Sequence, residues 1–172
     1  AYRERRTVPM LNDQQEVTLK TDPFSADTDE DRLSDWTEVN VLNTNPLLRD
    51  TDGDGTIDGN EDTDSDDLMD ADELDLYGTM PKVADVDRDG LNDGEEVSLK
   101  TNPALMDTDG DGISDGVEVN VLHTNPLAQD SDGDGINDGD EDSDSDGLPN
   151  SDELNKHGTA PIVADTDQDS LS

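Results

Sequence analysis

Apolar residues are sparse in this chain and return at regular places between acidic stretches. Most acidic stretches contain one apolar residue and are followed by a short apolar segment, as Ile113 is followed by Val117 to Leu122. Because the residue before a proline is pushed out of the α region, the pattern predicts one or two helical turns that end before each proline. A proline follows each of the six longer apolar segments: Pro23, Pro46, Pro81, Pro103, Pro126 and Pro161.

The acidic stretch Asp107 to Glu118 reads DTDGDGISDGVE and has the spacing of an EF-hand-type calcium loop. Oxygen-bearing side chains occupy positions 1, 3, 5, 9 and 12, and Gly112 occupies position 6. Ca²⁺ takes about six to eight oxygen ligands, so alternate residues must turn inward while the chain bends tightly around the ion. Glycine permits that bend because it has no Cβ. At position 7, Ile113 would offer only its backbone carbonyl, which leaves its side chain free to enter a core.

The same spacing recurs along the chain at two kinds of interval. A long interval separates most loop starts, such as Asp27 and Asp50, and a short interval separates others, such as Asp50 and Asp62. The order of intervals repeats, so the sequence predicts two copies of one unit, 1–84 and 85–164, and residues 165–172 begin a third. The first unit starts with a degenerate half-loop. Loops begin at Asp27, Asp50, Asp62, Asp85, Asp107, Asp130, Asp142 and Asp165.

Seven complete loops supply the candidate metal ligands. Position 1 is Asp27, Asp50, Asp62, Asp85, Asp107, Asp130 and Asp142; position 3 is Asp29, Asp52, Asp64, Asp87, Asp109, Asp132 and Asp144. Position 5 is Asp31, Asp54, Asp66, Asp89, Asp111, Asp134 and Asp146; position 7, through its carbonyl, is Leu33, Thr56, Leu68, Leu91, Ile113, Ile136 and Leu148. Position 9 is Asp35, Asp58, Asp70, Asp93, Asp115, Asp138 and Asn150; position 12 is Glu38, Glu61, Glu73, Glu96, Glu118, Glu141 and Glu153.

Two incomplete loops lie near the chain ends. Asp13 and Glu16 occupy positions 9 and 12 of a loop that has lost its front half, whereas Asp165, Asp167 and Asp169 begin a loop that stops at Ser172. Among the complete loops, Arg32 replaces the glycine at position 6, which is expected to strain that turn and weaken the site.

The loops lack entering helices, since the short interval brings the next loop directly after the last residue of the one before, as Asp62 follows Glu61. Each position-7 residue is expected to form a small core with its neighbours at positions 13 and 15, plugged in places by Trp36, Phe24 or Tyr77. The helical turns are expected to begin near position 9 of each loop. Helices this short are unstable alone and must be stabilised by the loops. The predicted fold class is therefore irregular, all-α and repetitive, an elongated rod of calcium-nucleated loops and short helices with little or no β-sheet.

Composition changes the picture by removing the ordinary hydrophobic core. Only 28% of residues are hydrophobic and the formal net charge is −38, which by themselves are typical of a disordered acidic chain. The regular spacing of the carboxylates argues against that interpretation, because a merely solvating acidic chain has no need of it. Multiple calcium ions, about one per loop, could take the place of the missing core, since metal binding becomes folding free energy where no site exists in the unfolded chain.

Several functional classes are disfavoured. The chain has no cysteine, which excludes disulfides and thiolate zinc sites. A chain of this charge repels nucleic acid, and no stretch is apolar enough to insert in a membrane. His123 and His157 have no nucleophile or zinc motif beside them. No catalytic residue is identified, and we expect a non-enzymatic protein.

Three features of the chain resemble bacterial thrombospondin type 3 repeats. They are the loops DTDGDGISDGVE and DSDGDGINDGDE, the alternation of long and short intervals, and the T-N-P-L steps at Thr44 to Leu47 and Thr124 to Leu127. The resemblance implies a chain wrapped around a string of calcium ions, found in secreted or cell-surface proteins. Animal members carry disulfides. A chain without cysteine would depend on the metal more completely.

The predicted function is a calcium-stiffened spacer, stalk or fibre subunit outside the cell. The alternative is a calcium-dependent docking or adhesion module that binds a protein partner of unknown identity, and a calcium buffer or sensor is a third class. The two half-loops predict that copies could join head to tail through a shared calcium site, with Arg3, Arg5 and Arg6 beside the acidic tip. A repeat array cut from a longer protein, which Ala1 in place of Met also suggests, would show the same half-loops.

Overall fold

The computed structural model describes residues 9–166 and contains short helices joined by loops. None of these residues lies in a β-strand, which confirms the predicted irregular all-α repeat fold. The chain divides into two compact units, Ala1–Ala84 and Asp85–Ser172. The α-helices are α1 (Asp13–Leu19), α2 (Asp35–Thr37), α3 (Asp70–Asp72), α4 (Asp93–Leu99), α5 (Asp115–Val117) and α6 (Asn150–Asp152).

Four of these helices run directly into a short π-helix, and two of the loops end in a 3₁₀ turn instead. The π-helices follow α2, α3, α5 and α6 and span Glu38–Leu42, Glu73–Tyr77, Glu118–Leu122 and Glu153–His157. The 3₁₀ turns are Asp58–Asn60 and Asp138–Asp140. Every helix that follows a loop thus begins at position 9, as the sequence predicted.

The interval to the next loop determines which helix forms. The long interval that contains α1 or α4 is one residue shorter than the other long intervals. In these two helices the left-handed cap residue donates its N–H to the carbonyl of position 12, one α-helical turn back, as Lys20 does to Glu16. In the other long intervals the corresponding bond spans one residue more, as in Asn43 to Glu38 at 2.6 Å. The additional residue is absorbed as a π turn. A short interval leaves room for the 3₁₀ turn alone.

The hydrophobic cores are very small. Leu33 at position 7 packs with Leu42 and Ala71, and Val41 and Leu74 lie against this cluster. The predicted burial of position 7 holds for Leu33 and Ile113, which are each 1% exposed. The cluster around Leu33 includes Val41 at position 15 but not Val39 at position 13, so the predicted set of partners is only partly right. The predicted burial is wrong for Ile136, which is 47% exposed because its loop has only a 3₁₀ turn and no helix to cover it.

Phe24 and Tyr77 do not plug the cores, whereas Trp36 is partly buried. Phe24 is 97% exposed on the turn after Pro23, and Tyr77 is 40% exposed at the end of its π-helix. Carboxylates occupy the interior instead. The largest fully buried side chains include Glu38, Glu73, Glu96, Glu118 and Glu153.

Candidate metal centres

The aspartate at position 1 folds the front of each loop by accepting backbone hydrogen bonds. Asp107 accepts from the N–H groups of Gly110 at 2.7 Å and Gly112 at 3.0 Å. Asp27 does the same with Glu30 at 2.7 Å and Arg32 at 3.1 Å, although Arg32 is not glycine. Its backbone φ is +87°, in the left-handed region that disfavours side chains, so the predicted strain is present.

The guanidinium of Arg32 binds elsewhere in the same unit. It donates to the side-chain oxygen of Asn60 at 2.7 Å and forms an ion pair with Asp72. These contacts are distant in sequence and tie the first complete loop to the two that follow it. Whether the strained turn weakens calcium binding remains a prediction.

Positions 1, 3 and 5 bring their carboxylates together at the front of the loop. One oxygen from each of Asp27, Asp29 and Asp31 lies within 4.8 Å of the other two, and the same is true of the corresponding groups in loops 50–61 and 62–73. At position 5, one oxygen accepts the N–H of position 7, as Asp31 Oδ1 does from Leu33 at 2.8 Å. Asp31 Oδ2 is buried and, among the described residues, has no hydrogen-bond partner.

A buried glutamate at position 12 closes five of the loops, which we term the closed loops: 27–38, 62–73, 85–96, 107–118 and 142–153. Glu118 is fully buried, and its Oε1 accepts the hydroxyl of Thr124 at 3.1 Å. Its Oε2 has no hydrogen-bond donor anywhere in residues 9–166. The same arrangement of a buried glutamate, a threonine on Oε1 and an unbonded Oε2 recurs at Glu38, Glu73, Glu96 and Glu153.

Burial raises the pKa of these carboxyl groups above the ordinary value. Burial, followed by the charges of Asp31 and Asp29, raises the pKa of the Glu38 carboxyl to about 9. Burial, followed by the charge of Asp109, raises the pKa of Glu118 to about 8. The pKa of Asp31 is raised to about 6, again mainly by burial. Without a cation or a proton, ionised groups at these places are unfavourable.

The carboxylate at position 9 makes hydrogen bonds within its own loop that its spacing does not reveal. Asp115 accepts the backbone N–H of Thr108 at 2.8 Å and the hydroxyl of the same residue at 2.6 Å. Both of its oxygens are therefore engaged in holding position 2 of its own loop. Equivalent pairs join Asp35 to Thr28, Asp58 to Thr51, Asp70 to Thr63 and Asp138 to Ser131.

Some position-9 side chains also approach the preceding loop. Asp58 lies beside Asp31 and Glu38, with one oxygen of each within 4.8 Å of the others, and all three side chains are buried. In the second unit, burial raises the pKa of Asp111, and the charges of Asp107 and then of Asp138, at position 9 of the following loop, raise it further. The position-9 carboxylate thus adds its negative charge to the candidate metal site of the preceding loop.

The donor set of the closed loops fits calcium. It consists of hard carboxylate oxygens, several of them buried without a hydrogen bond, and calcium takes such oxygens in a flexible geometry. Positions 1, 3, 5 and 12, with the backbone carbonyl of position 7, would hold the ion. The position-2 partner would orient position 9, whose role as a ligand stays a prediction. The bound ion would supply positive charge in a low-dielectric place where none of these side chains provides any.

Loops 50–61 and 130–141 are more open. Asp52, Asp54, Asp132 and Asp134 are exposed, and Glu61 and Glu141 follow a 3₁₀ turn in extended backbone rather than entering a helix. Their front carboxylates still converge, as in the group Asp50, Asp52 and Asp54. A short interval separates each of these loops from the next, so the fold leaves them without a covering helix.

The half-loops are described only in part. Glu16 is buried in α1, Asp13 is exposed at its start, and Asp165 is partly exposed. The predicted ligands Asp167 and Asp169 lie outside the described residues, as do Arg3, Arg5 and Arg6.

Sequence reasoning missed the residues that orient the ligands. These are the position-2 hydroxyls, such as Thr108, and the threonines that hold Oε1 of the position-12 glutamate, such as Thr124. Both carry a visible signal, because a serine or threonine follows the first aspartate in most loops and a threonine follows most helices. Val86 is the exception at position 2.

None of the helices within residues 9–166 has the length and apolar character needed to cross a bilayer. No curated protein and no solved structure matches the chain. The family model described as the bacterial TSP3 repeat matches six segments: residues 11–26, 27–48, 85–104, 107–129, 130–141 and 142–164. Five of these contain loops whose carboxylates converge or are buried as described above. The chain therefore belongs to the bacterial TSP3 repeat family, a family of calcium-binding structural repeats.

Proposed function

We propose that this chain binds calcium in its loops and acts as a calcium-stiffened spacer or stalk in a secreted or cell-surface protein. The observation that carries the proposal is the set of fully buried glutamates at position 12, each with one oxygen that has no hydrogen-bond donor in the described part of the chain. A buried carboxylate without a partner is costly. A cation in each closed loop would satisfy these oxygens.

Calcium would stabilise the fold and would not take part in a reaction. The ion would offset repulsion among carboxylates and hold each short helix to the loop before it, so that binding free energy becomes folding free energy. The hydrophobic clusters are too small to do this alone, since the cluster around Leu33 has three buried members.

The affinity typical of extracellular calcium modules is the basis for proposing an extracellular location. Extracellular calcium modules typically bind in the range of about 10⁻⁴ to 10⁻³ M, a concentration that cytosolic calcium does not reach. A chain that needs several ions to become ordered would be filled outside the cell. The family match supports this location.

Sedimentation velocity tests the proposal. The chain is run at several protein concentrations in millimolar calcium and again with chelator. A monomer whose sedimentation coefficient rises with calcium, at every protein concentration, is the result expected of a spacer. No response to calcium would refute calcium binding as the organising principle.

The same experiment distinguishes a fibre subunit. Head-to-tail assembly through the half-loops depends on Asp167 and Asp169, outside the described residues, and it stays a prediction. Calcium-dependent species that grow with protein concentration would support it, and D165N/D167N/D169N should then remove them. Assembly that survives this substitution unchanged would refute a shared calcium site.

A further inference from the structure

Neighbouring loops within each unit make a close contact at position 10. The backbone N–H of Gly116 donates to Asp89 Oδ2 at 2.6 Å, and the N–H of Gly139 donates to Asp111 Oδ2 at 2.9 Å. In each case, position 10 of one loop binds the position-5 carboxylate of the loop before it. That carboxylate is also one of the candidate metal ligands.

The contact leaves no room for a side chain. A Cβ atom on Gly116 would lie 2.3 Å from the carbonyl oxygen of Asp89, and one on Gly139 would lie 2.3 Å from that of Asp111. A Cβ on Gly59 would lie 2.4 Å from the carbonyl oxygen of Asp31. None of these three glycines has the positive φ that would by itself explain glycine, so the close approach is the reason for it.

The residues found at position 10 along the sequence agree with this explanation. Glycine occupies position 10 in the loops that begin a long interval after another complete loop: Gly59, Gly94, Gly116 and Gly139. The two loops that begin only a short interval after the previous one carry Ala71 and Ser151 there. Loop 27–38, which follows the degenerate half-loop, carries Trp36.

We infer that these contacts, which we term the position-10 joints, make calcium binding cooperative between consecutive loops of one unit that are separated by a long interval. An ion in one loop fixes its position-5 aspartate, and the fixed aspartate provides the carbonyl and carboxylate on which the next loop is built. In the first joint, Asp58 also places its charge beside Asp31 and Glu38. Coupling of this kind is reciprocal, so the following loop must strengthen binding in the loop before it by the same factor.

This inference rests on the proposed calcium function, and the chain contains a reporter that separates the two. Trp36 is the only tryptophan and lies at position 10 of loop 27–38, directly after Asp35. Terbium(III) takes oxygen ligands as calcium does, and its luminescence is sensitised by a nearby indole. Trp36-sensitised luminescence therefore reports binding in the first loop of the joint formed by Asp31 and Gly59.

The experiment measures the terbium midpoint at Trp36 in the parent chain and in four variants of it: D50N/D52N, D130N/D132N, G59A and the combination of G59A with D50N/D52N. D50N/D52N disables the loop after the reporter and leaves the joint residues intact. D130N/D132N removes the same two charges at the equivalent positions of the second unit and controls for the loss of net charge. G59A breaks the joint itself.

We expect D50N/D52N to raise the midpoint about fivefold or more relative to D130N/D132N, the lower end of typical coupling between sites. G59A should raise the terbium midpoint by a comparable factor relative to the parent chain. Adding D50N/D52N to G59A should then change the midpoint little. Equal midpoints for D50N/D52N and D130N/D132N would overturn the coupling, as would a full additional shift in the combined variant. Excess calcium must also abolish the signal of the parent chain. If it does not, the calcium function fails and the coupling fails with it.

Discussion

Thr124 donates its hydroxyl to Oε1 of Glu118 at 3.1 Å and thereby leaves Oε2, buried and without another donor in the described residues, as the free oxygen of the site. The threonine lies beyond the π-helix Glu118–Leu122, which turns the chain back toward the glutamate. The helix, its cap and this one hydroxyl together orient a ligand that the sequence places only by spacing.

Replacing Glu118 with Gln should change calcium binding and metal-free stability in opposite directions. The substitution removes a ligand charge, so the calcium midpoint should rise about tenfold or more at this loop. It also removes a buried carboxyl whose pKa is raised to about 8, so the metal-free chain should become more stable near neutral pH. Calorimetric calcium titration and chemical unfolding in chelator measure the two effects.

Glu95→Gln is the matched control for Glu118→Gln. Glu95 is exposed and caps α4 by accepting the N–H of Asn92 at 3.1 Å, and Gln15 plays the same part in α1. The same charge is lost while the cap is kept. A decrease of both affinity and metal-free stability in Glu118→Gln would contradict the ligand assignment.

The position-2 hydroxyl should matter although it is no ligand itself. Thr108→Val keeps the side-chain shape but removes the 2.6 Å bond to Asp115 Oδ2, which leaves a buried acceptor unpaired. We expect a loss of about 1–3 kcal/mol in the free energy of unfolding with calcium bound, and a weaker calcium midpoint. Thr108→Ser restores the hydroxyl and should behave like the parent. Equal stability of the Val and Ser variants would show that this bond is unimportant.

Because burial raises the pKa of the interior carboxyl groups, the stability of the metal-free chain should decrease at high pH. Between the ordinary glutamate value of 4.5 and about 9, the folded chain holds protons on groups such as Glu38 that the unfolded chain has lost. Because the folded state then binds more protons, its stability falls as pH rises through this window. Circular dichroism in chelator should show more helix at about pH 5 than at about pH 9.

Calcium should reverse this dependence by displacing the same protons. Binding at a pH below the raised values must release protons, so the calcium midpoint should increase as pH falls toward about 6. Titration calorimetry in buffers of different ionisation enthalpy measures the number released. A midpoint that does not change with pH, with no proton release, would contradict the buried-carboxylate account.

Much of the architecture follows from the sequence because the ligand spacing is a strict geometric requirement. The position-9 helix starts, the all-α fold and the converging aspartates at positions 1, 3 and 5 were predictable. The π-helices were not, since they depend on a single additional residue between loops and on which carbonyl the cap residue reaches, as Asn43 reaches Glu38. The hydrogen bonds of position 9 were also hidden. Spacing cannot show that Asp115 is held by Thr108.

The dependence of helix type on loop spacing can be tested by deletion. Removing Asn120, a residue of the π-helix Glu118–Leu122, shortens the interval between Asp107 and Asp130 by one residue, to that between Asp85 and Asp107. The segment should become a regular α-helix like α4, with Thr124 still able to reach Glu118. Calcium affinity should stay close to that of the parent. Deleting Gly112 instead shifts the ligand frame and should abolish binding at this loop.

The central claim is that calcium takes the place of a hydrophobic core, and hydrogen exchange tests it most directly. Amide exchange followed by mass spectrometry should be compared in millimolar calcium and in chelator, peptide by peptide across residues 9–166. The account predicts strong protection of the amides in the closed loops and their helices with calcium, including Thr124 N–H on the carbonyl of Glu118, and near-complete loss of protection in chelator at neutral pH. Equal protection in the two conditions would show that the fold stands without the metal and would contradict the account.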